Sequence, residues 1–144
     1  MQHKPLIAGA VAVAVGLAAA VVGVAVPAQA ATGNCPSGYT CIWRDANYVS
    51  SGNGAGLVKF GHYIPNYSAH SYAVVGGGAN DTASSAYNNG VSEMSRVFEH
   101  ATQGGRYFTM DRRQGTANLS NVSGNLNDLV SSGYFSSCWN KSCW

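Results

Sequence analysis

Apolar and polar positions follow two regimes along this chain. From Leu6 to Val26 every residue is Ala, Val, Gly, Leu or Ile, preceded by Lys4 and followed by Pro27-Ala28-Gln29-Ala30-Ala31. Beyond that point no helical period lasts more than a turn or two. Short apolar pieces recur instead, at Tyr39–Trp43, Gly56–Phe60, Ser71–Val75, Ser95–Phe98 and Arg106–Met110, punctuated by Gly76-Gly-Gly78, Asn89-Gly90 and Gly104-Gly105. Apolar pieces this short between turn residues predict strands, and the fold class is all-β. The Asn- and Ser-rich stretch 118–127 reads as ordered loop, because Leu119, Val122 and Leu126 recur through it.

The opening regime predicts a signal peptide. One positive charge, an apolar run and Ala28-x-Ala30 are the features that signal peptidase reads, which places the cut after Ala30. The rival is an uncleaved anchor, since the run is long enough to span a bilayer. Its Ala and Gly gain little in lipid, and no basic stop-transfer cluster follows. Residues 1–30 are therefore expected to be removed, leaving 31–144 as one small exported domain with no membrane contact.

Charge narrows the partners. Eight Lys and Arg stand against six Asp and Glu; loss of Lys4 leaves seven against six, a mature charge near +1. That balance gives no reason to expect nucleic acid or an acidic membrane. The four cysteines, Cys35, Cys41, Cys138 and Cys143, are an even set in a small exported chain and predict two disulfides. Zinc is the alternative, but the spacings are wider than those of zinc knuckles and no His lies beside either pair. Of the three connectivities, the local pairs Cys35–Cys41 and Cys138–Cys143 are favoured; a crossed pairing would tie the two ends together.

An internal repeat organises the rest. Asn80-Asp-Thr-Ala-Ser-Ser85 recurs as Asn127-Asp-Leu-Val-Ser-Ser132, with Tyr87 and Tyr134 following. Upstream, Trp43-Arg-Asp-Ala-Asn-Tyr48-Val-Ser50 pairs more weakly with Phe98-Glu-His-Ala-Thr-Gln103-Gly-Gly105. This duplication resembles the βγ-crystallin Greek-key motif, in which an aromatic hairpin start precedes Asn/Asp-Asn/Asp-x-x-Ser/Thr-Ser. Ser50 stands where that pattern has Gly, and Gln103 where it has an aromatic. The resemblance implies a disulfide-braced sandwich of two Greek keys, from units at about 41–90 and 95–137. With the signal peptide and the opening Cys35-Pro-Ser-Gly-Tyr-Thr-Cys41-Ile-Trp43-Arg-Asp45, the arrangement is similar to the secreted bacterial peptidase inhibitors of family I36. That likeness implies an extracellular, monomeric inhibitor whose partner is a protease, a metalloprotease above all.

Two sets of residues carry candidate chemistry. The crystallin likeness implies calcium ligands drawn from both motifs: Asp81, Thr82 and Ser84 with Asp128, Leu129 and Ser131, the acid and hydroxyl through side chains and the third residue through its carbonyl. Calcium takes six to eight oxygens, so about one carboxylate per site implies weak binding completed by water. The same residues also serve structure, since Asn and Asp make side-chain turns and Ser hydroxyls tie down hairpins. The second set is the tail ring. A Cys138–Cys143 disulfide would rigidify Trp139, Asn140, Lys141 and Ser142 into a candidate reactive loop; its structural alternative is a clamp with Trp139 or Trp144 packed on the sandwich. Pro36–Thr40 is a weaker loop.

An enzyme is not expected. His62, His70 and His100 lie in no catalytic motif, there is no Gly-x-Ser-x-Gly or His-Glu-x-x-His, and Glu99 with Asp111 is not a pair aligned for glycoside cleavage. A calcium-binding extracellular module and a small secreted toxin are the rival functions; the near-neutral charge disfavours a membrane-lytic toxin. Five sequons, at Asn66, Asn80, Asn118, Asn121 and Asn140, matter only in a host that glycosylates.

Overall fold

The structure, a computed structural model, describes Thr32, residues 34–49 and residues 56–143. The signal peptide and its cleavage site, the repeat position Ser50 and the terminal Trp144 lie outside the described residues. Among the described residues nine strands make two sheets. One holds β1 (Thr40–Trp43), β2 (Gly56–Phe60), β4 (Ala73–Val74), β5 (Ser85–Asn88) and β8 (Gly115–Thr116), in the order β4-β2-β1-β5-β8. The other holds β3 (Tyr63–Ile64), β6 (Ser95–His100), β7 (Gly104–Met110) and β9 (Ser132–Phe135), in the order β3-β9-β6-β7. All named pairings are antiparallel.

In each repeat the chain crosses to the other sheet for one strand and returns. β3 leaves the first unit to pair with β9, and β8 leaves the second to pair with β5. Each unit therefore completes the other's sheet, the fold of two Greek keys in a βγ-crystallin sandwich. Alternation explains which side chains meet. In β2, Val58 and Phe60 point inward while Lys59 is exposed; in β6, Val97 points inward between Arg96 and Phe98. Ile42, Val58 and Phe60 of one sheet meet Val97, Met110 and Phe135 of the other in a single core, where the Phe60 and Phe135 rings pack edge to face at 5.8 Å.

The four local pieces that read as strands at β1, β2, β6 and β7 form within a few residues of expectation. Ser71–Val75 contributes less: Ala73–Val74 pairs with β2 at the sheet edge, both residues exposed, and Ser71 makes an isolated bridge with Gly78. The 118–127 stretch is ordered as expected. It carries a 3-10 turn at Leu119–Asn121, with Leu119 and Leu126 fully buried.

One polar side chain belongs to this foundation. Asn88 is fully buried, and its amide donates to the carbonyls of Glu93 (2.9 Å) and Met110 (3.2 Å) while its oxygen accepts Gly90 N–H at 2.8 Å. It ties the link between the two units to the β7 end, and its burial is tolerable because these bonds satisfy it.

Candidate functional site

The two hairpin starts fold alike. Asn47 and Tyr48 in the first unit and Thr102 and Gln103 in the second all have positive φ, between 54° and 62°. The final Ser of each motif pins the opposite hairpin of its own sheet. Ser85 Oγ donates to the Asp45 carbonyl at 2.8 Å and accepts Tyr48 N–H at 3.2 Å; Ser132 Oγ donates to the His100 carbonyl at 2.7 Å. These serines are structural, for a hydroxyl is the one small group able to donate and accept there while fully buried.

The two Asn-Asp loops come together at one end of the sandwich. Asp81 N–H donates to the Val130 carbonyl at 3.1 Å, and Asp128 N–H to the Ala83 carbonyl at 3.0 Å. Both aspartates are left-handed, at φ 56° and 55°, a conformation their short polar side chains tolerate better than most. Each carboxylate is held by the Asn before it, at 2.7 Å in both motifs. Ser131 Oγ of the second motif donates to Asp81 Oδ1 of the first at 2.6 Å. Asp128 and Ser84 share no side-chain bond among the described residues. Thr82 Oγ1 donates to the Gly78 carbonyl at 2.9 Å and lies 3.2 Å from the Tyr72 hydroxyl. Burial pushes the Tyr72 phenol up to about 12, opposed by the Thr82 contact and reinforced by the Asp128 charge. Among the described residues no three of His, Cys, Asp and Glu converge on one point. What the two loops bring together is the Asp81 carboxylate and the Ser131 hydroxyl, hard oxygens of the kind calcium takes.

The tail ring sits elsewhere. Both disulfides join local pairs, Cys35–Cys41 and Cys138–Cys143, and no described cysteine is free. Beyond β9 the chain turns through a 3-10 segment, Ser136–Lys141, and packs on the outer face of the second sheet. Cys138 is buried against Phe98 and Tyr134, while Trp139 is partly buried there and points its Nε1–H at the Tyr134 carbonyl, 3.5 Å away. Gln103 grips the ring from the side: its amide donates to the Cys138 carbonyl at 2.8 Å and its oxygen accepts Asn140 N–H at 3.1 Å. Ser142 Oγ lies between the carbonyls of Ser137 (2.6 Å) and Trp139 (2.9 Å), bracing the ring from within. Glu93 holds its start, accepting Ser137 N–H at 2.9 Å and facing Ser136 Oγ at 3.3 Å. Those bonds hold the Glu93 carboxyl below its ordinary range. Among its described side chains the ring presents Asn140 and Ser142 to solvent, with the Trp139 ring turned onto the protein's own surface.

Gln103 and Glu93 were not legible as ring partners. Gln103 stands out in the sequence only as a departure from the repeat, and that departure is the signal that could have found it.

Similarity to known proteins agrees with this geometry. The profile described as peptidase inhibitor family I36 matches residues 28–110. No curated protein sequence matches the chain. Among solved structures, one reported under "Evolution of the eye lens beta-gamma-crystallin domain fold" superposes with a TM-score of 0.55 at 17% identity, covering 71% of this chain and 89% of its own. A βγ-crystallin from Ciona intestinalis superposes at 0.51 and 19% identity, covering 68% of this chain and 99% of its own. At these identities the likeness establishes the fold.

Proposed function

Because the chain belongs to peptidase inhibitor family I36, we propose that it is an extracellular inhibitor of a metalloprotease and that the Cys138–Cys143 ring is the part that enters the protease cleft. Family membership sets it among inhibitors and not among enzymes. Two disulfides suit an oxidising compartment, and no helix among the described residues is long and apolar enough to cross a membrane. The leader at 1–30 is the route of export in this reading, and a single chain is the acting unit.

The observation that carries the reading is the ring's bracing. It is closed covalently, gripped by Gln103, tied at its start by Glu93 and underpinned by Trp139, yet it leaves Asn140 and Ser142 exposed. A segment already ordered loses little entropy on binding, which is what a tight inhibitor needs from a loop. Trp139 supports the ring here, and Ser142 completes the exposed turn. Mixing the purified protein with metallo-, serine and cysteine proteases tests the reading. Loss of metalloprotease activity alone is the expected result, and no inhibition of any protease discards it.

A second reading applies to the Asn-Asp loops. The Ser131–Asp81 bond brings a hydroxyl and a carboxylate of different motifs into contact, as calcium ligation by Asp81, Thr82, Ser84, Asp128, Leu129 and Ser131 requires. Calcium binding here is weak and supports the fold without taking part in inhibition. Calcium at ten times its Kd stabilises by about 1.4 kcal/mol. A small rise in Tm with calcium, lost in Asp81→Ala with Asp128→Ala, is the expected outcome; an unchanged wild-type Tm removes calcium from the picture.

A further inference from the structure

A cation stands at the foot of the tail ring with only one of its five N–H donors in a hydrogen bond among the described residues. Arg96 lies on the outer face of β6, facing Thr109 of β7 on one side and Tyr134 of β9 on the other. Its guanidinium carbon is 3.7 Å from the centre of the Trp139 ring and 4.4 Å from that of Tyr107. Its Nε donates to Thr109 Oγ1 at 2.9 Å. Among the described residues, neither of its two terminal nitrogens has a hydrogen-bond partner, and no carboxylate pairs with it.

The nearby acids are already committed. Glu99 is bound by Arg106 through two side-chain bonds, which hold its carboxyl down to about 2. Glu93 is taken up by Ser136 and Ser137. Aromatic rings satisfy the flat faces of a guanidinium but not its edge, where the N–H groups point. The rings and Thr109 also fix the plane of that edge. A planar, oriented pair of donors matches the two oxygens of a carboxylate in a way that a lysine ammonium does not. The edge is reachable, since Arg96 is only partly buried, Tyr107 is 50% exposed, and Asn140 beside Trp139 is open to solvent.

We propose that Arg96 is the seat for an Asp or Glu carboxylate of the target peptidase, engaged as the tail ring enters the cleft. This rests on the inhibitor reading above for the identity of the partner, and it adds a residue that selects peptidases carrying an acid beside the cleft. The ring supplies shape; Arg96 supplies a charge-assisted, two-point contact whose geometry is set before binding.

The experiment separates this inference from the reading it rests on. The mature protein is titrated with N-acetyl-aspartate N-methylamide, and with the asparagine analogue, while the Arg96 Nε–H and Trp139 Nε1–H resonances are followed by NMR. The expected result is a saturable shift with the Asp compound and none with the Asn compound. Arg96→Lys should abolish the Trp139 shift while its charge is retained, and should weaken inhibition of the target by about tenfold or more. Thr109→Val, which leaves Arg96 in place and frees its Nε, should give a weaker shift and a smaller loss; it keeps the test open should Arg96→Lys fail to fold. No saturable shift in the wild type, an equal shift with the Asn compound or with inorganic sulfate, or full inhibition by a folded Arg96→Lys overturns the proposal. Any of these would leave the inhibitor reading standing, whereas failure in the protease panel would not alter the titration.

Discussion

The two disulfide rings are nearly the same size, with sequence separations of 6 and 5, and each packs on an aromatic pair at the same place in its repeat. Cys35–Cys41 lies with Trp43, Tyr48 and Tyr87; Cys138 lies with Phe98 and Tyr134, flanked by Cys143. Their attachment differs. Cys41 is fully buried inside β1, and its ring is stitched by backbone bonds, Gly38 N–H to Asn89 at 2.9 Å and Asn89 N–H to Tyr39 at 2.8 Å. The tail ring belongs to no strand and is held chiefly by the side chains of Gln103, Glu93 and Ser142. In the chain-entropy model rings of these lengths contribute almost equally, about 2 kcal/mol each. The difference between them must come from the folded state. One ring is part of the foundation, and the other is fitted onto it.

Opening each ring in turn breaks the comparison most directly. Cys35→Ser with Cys41→Ser should lose about 4 kcal/mol, half from the ring and half from burying a hydroxyl in an apolar cluster. Cys138→Ser with Cys143→Ser should lose about 3 kcal/mol, about 2 from the ring and about 1 from the single hydroxyl buried at position 138, and leave both sheets intact. Its inhibition should still fall by about tenfold or more, because the open segment must be ordered on binding. Urea unfolding beside the inhibition constant measures both; equal stability losses would show that the first ring is no more foundational than the second.

Smaller changes sharpen the contrast. Gln103→Ala removes two bonds to the tail ring and should cost about 1 kcal/mol, with faster hydrogen exchange at Asn140 N–H and unchanged exchange in β1. The smallest effect is a pH dependence. The folded state holds the Glu93 carboxyl below its ordinary range, so its contribution is present above the unfolded pKa and lost as pH falls through the folded one. Glu93→Gln should therefore lower Tm at neutral pH and narrow the Tm gap between neutral and acidic conditions. A gap as wide as the wild type's would place the acid sensitivity elsewhere.

The repeat made the architecture legible. Asn80–Ser85 and Asn127–Ser132 are local, and their short polar side chains bond within a few residues, so their pattern survives in the sequence. The strands β2 and β6 were readable because each is a short apolar piece bounded by turn residues. A third matching pair went unrecognised. Asn66-Tyr-Ser and Asn118-Leu-Ser read as sequons, yet both begin 3-10 turns in which the Asn oxygen accepts the Ser N–H, at 2.8 and 2.9 Å. The segment carrying β4, inserted between Asn66 and Asn80, shifts their spacing and hides the match. The tail was harder still. That Trp139 lies against Arg96, and that Gln103 bridges Cys138 and Asn140, depends on residues 35 to 43 positions apart meeting across a sheet. No local period records such a meeting.

Positions 48 and 103 share a backbone conformation and lead separate lives. Tyr48 plugs a cleft, edge to face with Trp43 at 5.2 Å and Tyr87 at 6.2 Å. At the counterpart, with an amide in place of the phenol, Cys138 and Trp139 pack with Phe98 and Tyr134, and the amide itself becomes the clasp. A doubled domain has a spare copy of each such post. One copy can keep the house standing while the other is released to hold a tool. The consequence is practical: with the tail ring as the inhibitory part, as proposed above, the segment clasped by Gln103 can be lengthened, recoded or exchanged for one fitted to another protease, with Tyr48 and its neighbours left as they are.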